Sequence, residues 1–296
     1  MINSTDLNKE MYVGHMEVWK KNLEKPKKES WRDYATVMNT TKMEETFETL
    51  GNLPAAKETA PGGSIEYGKL QDAYETTVKP VKVTNGFSID LETYEDDQYN
   101  VVNGPMVDDL YSTMITAREK AVAAQWNGVF TNTGADGKAY AANDHPLKGT
   151  SAVNDNLATS GLITPDNVIA ADNMFNAIKK HNGDVFDTSA TAILAHKDKG
   201  ALIKSVLEST LKAQESSNTK NTVPSLKVIL SKYLSAAPWH LIDENIASVI
   251  MLIRMGLKTH SEFDAKDTLV WYFNAYERYK SAIIHDGFGF VSNAGV

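Results

Sequence analysis

Seven histidines, at positions 15, 145, 181, 196, 240, 260 and 285, are the side chains best suited to acid–base or metal chemistry near neutral pH. A helical zinc pair needs two of them four residues apart, and no two lie within five residues of each other. Glu95, Asp96 and Asp97 could raise one another's pKa and supply a general acid. Three adjacent acids at a strand end read more simply as a solvated step. His240 with Asp243 and Glu244 would make a base and its orienter, yet on a strand residues 240 and 243 point to opposite faces. Gly62-Gly63-Ser64-Ile65-Glu66 lacks the second glycine of a nucleophile elbow. Gly134-Ala135-Asp136-Gly137-Lys138 lacks the four-residue gap and the following Ser or Thr of a phosphate loop. Read as a calcium loop from Asn132, the same stretch places Asn143 where a bidentate glutamate is required. There is no cysteine, hence no thiol nucleophile, zinc ribbon or disulfide. No catalytic, cofactor-binding or metal-binding residue is assigned, and the chain is not expected to be an enzyme.

The surrounding chain is that of a folded domain. It has 296 residues, 42% hydrophobic and 23% charged, which suits one large or two intertwined domains. A formal charge of -8 argues against tight binding to phosphate backbones. The longest apolar run, Ile246 to Ile253, is far short of the roughly 20 residues that span a bilayer. No secretory signal is visible at the amino terminus.

Tyr12, Met16, Trp19 and Leu23 share one face of a helix that Pro26 should end. Lys20, Lys21, Lys25, Lys27 and Lys28 form a basic cluster, read first as a solvated helix end. Residues 51 to 69 carry Pro54, Pro61 and four glycines with few large apolar groups, so they cannot hold themselves against a core. The spacing predicts an exposed arm there. Alternation from Tyr74 to Leu91 around Asn85-Gly86 predicts a β-hairpin, with a three-residue turn pairing Val83 with Phe87. Pro80 places its strand at a sheet edge.

A long helix is expected from Pro105 to Asn127, capped by Asn103-Gly104, with Asp108 and Asp109 at its positive end. Arg118, beside its apolar stripe, reads as an ion-pair partner. Residues 131 to 161 read as a long surface connection. Thr164-Pro165-Asp166 starts a helix and Asn182-Gly183 should stop it. Strands at Ala190 to His196, Leu226 to Leu230, Trp239 to Ile242 and Ala247 to Ile253 then alternate with a helix near 197–211, an α+β or α/β arrangement.

An arm without a core needs a neighbour, and in this order the elements resemble the major capsid proteins of tailed phages with the Hong Kong 97 fold, most nearly the Mu-type major head subunit. Tyr94-Glu95-Asp96-Asp97-Gln98-Tyr99 is similar to the step into that family's spine helix. Phe130-Thr131-Asn132 through Asp144-His145-Pro146-Leu147 is similar to its post-spine loop, and Trp239-His240-Leu241-Ile242-Asp243 to an axial-domain strand. The resemblance implies an α+β fold with an amino-terminal arm (1–45), an extended β-hairpin loop (46–80), a peripheral domain (81–149 and 256–296) with spine helix 105–127, and an axial domain (150–255). It implies a structural role in the virion: hexamers and pentamers tile an icosahedral shell, assembled in the bacterial cytoplasm, around packaged double-stranded DNA. Implied partners are scaffolding protein, portal and maturation protease, with DNA contacted weakly and no membrane or cofactor. No fused scaffolding segment is visible, and Lys57 is only a candidate for the cross-links some relatives form. Two rivals remain, an encapsulin-type nanocompartment and a cytosolic hydrolase with a dispersed site.

Overall fold

The computed structural model describes residues 16–24, 29–48, 53, 58–65, 67–68, 74–97, 102–212, 219–264, 269–284 and 288–295. Tyr12, His15, Lys25, Pro26, Lys27, Lys28, Pro54, Lys57, Glu66 and His285 lie outside them. Helix α1 (16–24) buries Trp19 and leaves Leu23 exposed. After it come strands β1 (Thr36–Asn39), β2 (Glu45–Glu48), β3 (Glu75–Val78) and β4 (Val81–Asp90), the short helix α2 (Leu91–Glu95) and the long helix α3 (Val107–Asn127). The remainder comprises β5 (His145–Pro146), β6 (Val153–Asn154), β7 (Leu157–Ala158), α4 (Pro165–Phe175), β8 (Ala192–His196), α5 (Gly200–Glu208), β9 (Lys227–Ser231), β10 (Trp239–Ile242), β11 (Val249–Asp264), β12 (Val270–Ile283) and β13 (Phe290–Asn293).

Two sheets carry the molecule. One has the order β1-β11-β12-β4, with β1 parallel to β11 and the other pairs antiparallel. The other has the order β7-β13-β10-β8-β9. Helix α3, 21 residues and about 31 Å at 1.5 Å per residue, serves both. Its first half packs Val107, Leu110, Tyr111 and Met114 on Phe87 and Ala275 of the four-stranded sheet. Its second half packs Val122 and Trp126 against Leu194, Ile242 and Phe290 of the five-stranded sheet. The opposite face of that sheet receives Val168 and Phe175 of α4 and Ile203 and Val206 of α5. Burial on both faces explains why β8 reads as an unbroken apolar run.

Several sequence expectations need correction. No hairpin turns at Asn85-Gly86: β4 is one continuous strand, and all ten of its residues pair with β12, Gly86 opposite Asn274. A Cβ at Gly86 would sit 2.5 Å from the Asn274 side-chain oxygen and 2.6 Å from the Phe273 carbonyl oxygen, so the glycine serves close strand approach. Asn85 donates to Thr113 Oγ1 of α3 at 2.7 Å instead of making a turn. The two-stranded ribbon is formed by β2 and β3, and it encloses the connection 49–74. Pro80 precedes β4, an edge strand.

The long helix starts two residues later than expected. A π-type turn, Val102–Met106, holds Pro105, and no side chain caps α3. At its other end the Gly128 N–H closes the last turn onto Ala124 and Gln125. Helix α4 starts as expected, Thr164 accepting from the Asn167 N–H at 3.3 Å, but ends at Phe175 rather than near Asn182-Gly183. The reason lies in Asn154, whose amide bonds both the N–H and the carbonyl of Lys179 and holds that backbone extended. The expected boundary at 255/256 falls inside β11, a single strand, and β13 pairs with β10 in the five-stranded sheet.

Candidate functional site

The stretch 131–161 is not a plain surface connection. Asn156 is fully buried, accepts from the Ala142 N–H at 2.9 Å and donates to the Tyr140 carbonyl at 2.8 Å. These bonds orient its amide, so the oxygen faces His145 Nε2 at 3.1 Å. His145 Nδ1 meets Asp136 Oδ2 at 2.6 Å. Burial alone would raise the Asp136 carboxyl, but the His145 and Lys138 bonds outweigh it and hold it below the usual range. The ring thus lies between a carboxylate oxygen on one nitrogen and an amide oxygen on the other. The arrangement looks like a base and its orienter, yet His145 is 2% exposed and both nitrogens are engaged. It is a staple for the loop.

A second buried pair is His240 Nδ1 and Ser292 Oγ at 2.8 Å. Burial pushes His240 down to about 3, so it is neutral at physiological pH. With Trp126 against the ring and both residues at most 1% exposed, no substrate reaches this pair. Asp243 does not orient His240: it accepts from Thr188 Oγ1 at 3.0 Å and from the Asn245 N–H at 2.9 Å, organising a turn. Asp97 accepts the Val102 N–H at 2.9 Å, leading into α3, and Glu95 and Asp96 belong to the end of α2. Gly62 and Gly137 occupy turns with φ of 83° and 81°. Among the described residues no group of His, Asp and Glu could hold a metal.

What the structure does assemble is a joint at the root of the amino-terminal segment. Arg118 donates through Nη1 to Glu29 at 2.7 Å and through Nε to Glu277 at 2.9 Å, with Nη2 on Glu277 as well. Glu119, next in sequence, accepts from the Ser30 N–H at 2.6 Å and the Ser30 hydroxyl at 2.8 Å. Burial raises the Glu277 carboxyl, and the Arg118 bonds oppose that rise. Trp31 is fully buried behind this joint, and Trp19 of α1 meets Tyr111 edge-on at 5.6 Å. The ion-pair reading of Arg118 holds.

A different surface exposes apolar side chains. Every described residue from 58 to 68 is exposed, with Ile65 at 69% and Tyr67 at 89%. Leu53 is 60% exposed, and its carbonyl accepts from Asn182 Nδ2 at 3.0 Å. Ile65 and Tyr67 thus present apolar surface to solvent in this subunit.

The fold recurs in known particles. A capsid of a native GTA particle matches with a TM-score of 0.60 at 11% identity, over 90% of each chain. The capsid of bacteriophage JBD30 matches with a TM-score of 0.52 at 12% identity, over 90% of this chain, which spans 65% of that one. A virus-like particle from Pyrococcus furiosus matches with a TM-score of 0.53 at 10% identity, over 95% of this chain and 98% of that one. At these identities the likeness is one of fold. No curated protein sequence matches the chain. Residues 8–162, more than half the length, match the family described as Mu-like prophage major head subunit gpT. Joined to the capsid fold around it, that match means that the chain belongs to the family of Mu-like prophage major head subunits.

Proposed function

We propose that copies of this chain tile an icosahedral head as hexamers and pentamers, enclosing packaged double-stranded DNA. The role is structural, not enzymatic. The observation that carries this reading is the excursion at 58–68: it exposes Ile65 and Tyr67 on a fold shared with capsids, and a neighbouring copy is the simplest cover for them. Residues 1–45 would act as the amino-terminal arm, 46–80 as the extended loop and 105–127 as the spine helix. The five-stranded sheet would form the centre of the axial domain. A chain of net charge -8 would repel DNA weakly and let it slide during packing. Assembly would rest on many weak contacts acting together. Scaffolding protein, portal and maturation protease are the partners this reading implies, in a host cytoplasm.

The nanocompartment rival shares the fold, but the family match is to a prophage head subunit. A hydrolase would need a reacting constellation open to solvent, and the two buried histidine pairs are sealed. Negative-stain microscopy of the expressed chain tests the proposal. Closed particles, tubes or capsomer rings are expected; a persistent monomer overturns it.

A further inference from the structure

The chain passes between the two sheets at 32–36, where Tyr34 meets Ser231 of β9 before β1 begins, and again at 243–248, between β10 and β11. A cavity of about 110 Å³ lies between these crossings, with Trp126 of α3, Ile242 and Val249 among its walls. Trp126 is 1% exposed, and its Nε1 is buried with no hydrogen-bond partner. A buried indole N–H ordinarily finds an acceptor, so this wall carries an unmet bond. The ring itself is held by His240 and Phe290, at centroid distances of 5.1 and 5.5 Å.

The polar part of the lining has the opposite need. Glu244 takes the Lys227 ammonium on Oε1, and its Oε2 has no hydrogen bond among the described residues. Asp243 is fully engaged: Oδ2 accepts from Thr188 and Ser189, and Oδ1 accepts from Asn245. Arg32 donates through Nε to Glu29 and lies over the Trp31 ring, 4.8 Å from its centre. Asp33, Asp243 and Glu244 against the single Arg32 make the lining net negative, which disfavours an anionic occupant. What fits is uncharged, with an acceptor for the indole and a donor for the carboxylate.

We infer that this cavity binds a small uncharged carboxamide, its oxygen accepting from Trp126 Nε1 and its N–H donating to Glu244. An amide carries both functions on adjacent atoms without a charge. A dry cavity of about 150 Å³ takes benzene, so this one suits an amide of about five heavy atoms, the size of propanamide. The occupant joins the two crossings and stabilises the folded subunit by mass action. The site goes beyond the shell reading and does not depend on it.

Propanamide titrated into unassembled full-chain subunits carrying ¹⁵N-labelled tryptophan tests it. One of the five indole N–H signals, the one missing from W126F, is expected to shift saturably with a Kd of about 10 mM or tighter. Propanoate, of the same shape but anionic, should bind at least about tenfold more weakly. E244A should weaken propanamide about threefold or more and leave 2-butanone, which has no N–H to donate, unchanged. Should W126F fail to fold, A35V narrows the cavity from another wall and is expected to abolish the saturable shift with the Trp126 signal still present. No saturable shift up to about 100 mM overturns the site, as does an equal drift of all five signals or undiminished binding by A35V. Propanoate binding as tightly as the amide overturns it too. So does a Trp126 indole that shows contact with water and ignores the amide, because the cavity then holds water alone.

Discussion

Arg118 Nε donates to the Glu277 carboxylate at 2.9 Å, tying the middle of α3 to β12 inside a side-chain environment almost without solvent. The same guanidinium holds Glu29, so one residue links the root of the amino-terminal segment, the long helix and the sheet. Removing it strands two carboxylates in a buried site. R118A is expected to cost about 3–5 kcal/mol of subunit stability, measured by chemical denaturation of unassembled protein. Stability unchanged within about 1 kcal/mol would show that the joint carries no weight.

Protonation should act through the buried histidines. His240 is held down to about 3 by burial, and His181 is lowered by burial and by Lys148. In the unfolded chain both titrate near 6.5, so below that pH the unfolded state binds protons the native state refuses. The His240 contribution to stability is therefore full above about pH 6.5 and declines as pH falls toward about 3, by up to roughly 1.4 kcal/mol per pH unit, and His181 acts in the same direction. In H240Q the slope below pH 6.5 should fall by about one proton. Denaturation midpoints measured from pH 7 to pH 4 check this, and an unchanged slope would contradict it.

Close strand approach at Gly86 makes a sharp prediction. G86V would push a branched side chain into the Asn274 oxygen and the Phe273 carbonyl, at an expected cost of about 1–3 kcal/mol. If Asn85-Gly86 were a hairpin tip, the same change would barely register; thermal unfolding distinguishes the two.

Asn156 ties the 131–161 stretch through Ala142, Tyr140 and His145. N156A removes all three bonds and is expected to cost about 3 kcal/mol. Faster amide exchange at Ala142 than in wild type would localise the loss.

Local signals read correctly because their physics is local. Thr164-Pro165 starts α4 through a bond to Asn167 three residues away. Arg118 beside an apolar stripe had to be paired, whatever the partner. What failed was long range. Asn85-Gly86 looks like a turn until β12, nearly two hundred residues later, supplies a full ladder. His145 looked like part of a loop because Asn156 and Asp136 converge on it only in three dimensions.

Exposed Ile65 and Tyr67 should matter to assembly and not to folding. I65D/Y67D is expected to leave subunit stability within about 0.5 kcal/mol of wild type, while particle yield collapses in sedimentation. A destabilised subunit would instead mean that these side chains serve their own chain.

Amide hydrogen exchange of residues 58–65, followed in unassembled subunits and in closed particles, tests most directly that this segment is completed by a neighbour. Fast exchange in the subunit and at least about tenfold slower exchange in the particle is the predicted result. Equal rates in the two states would contradict it.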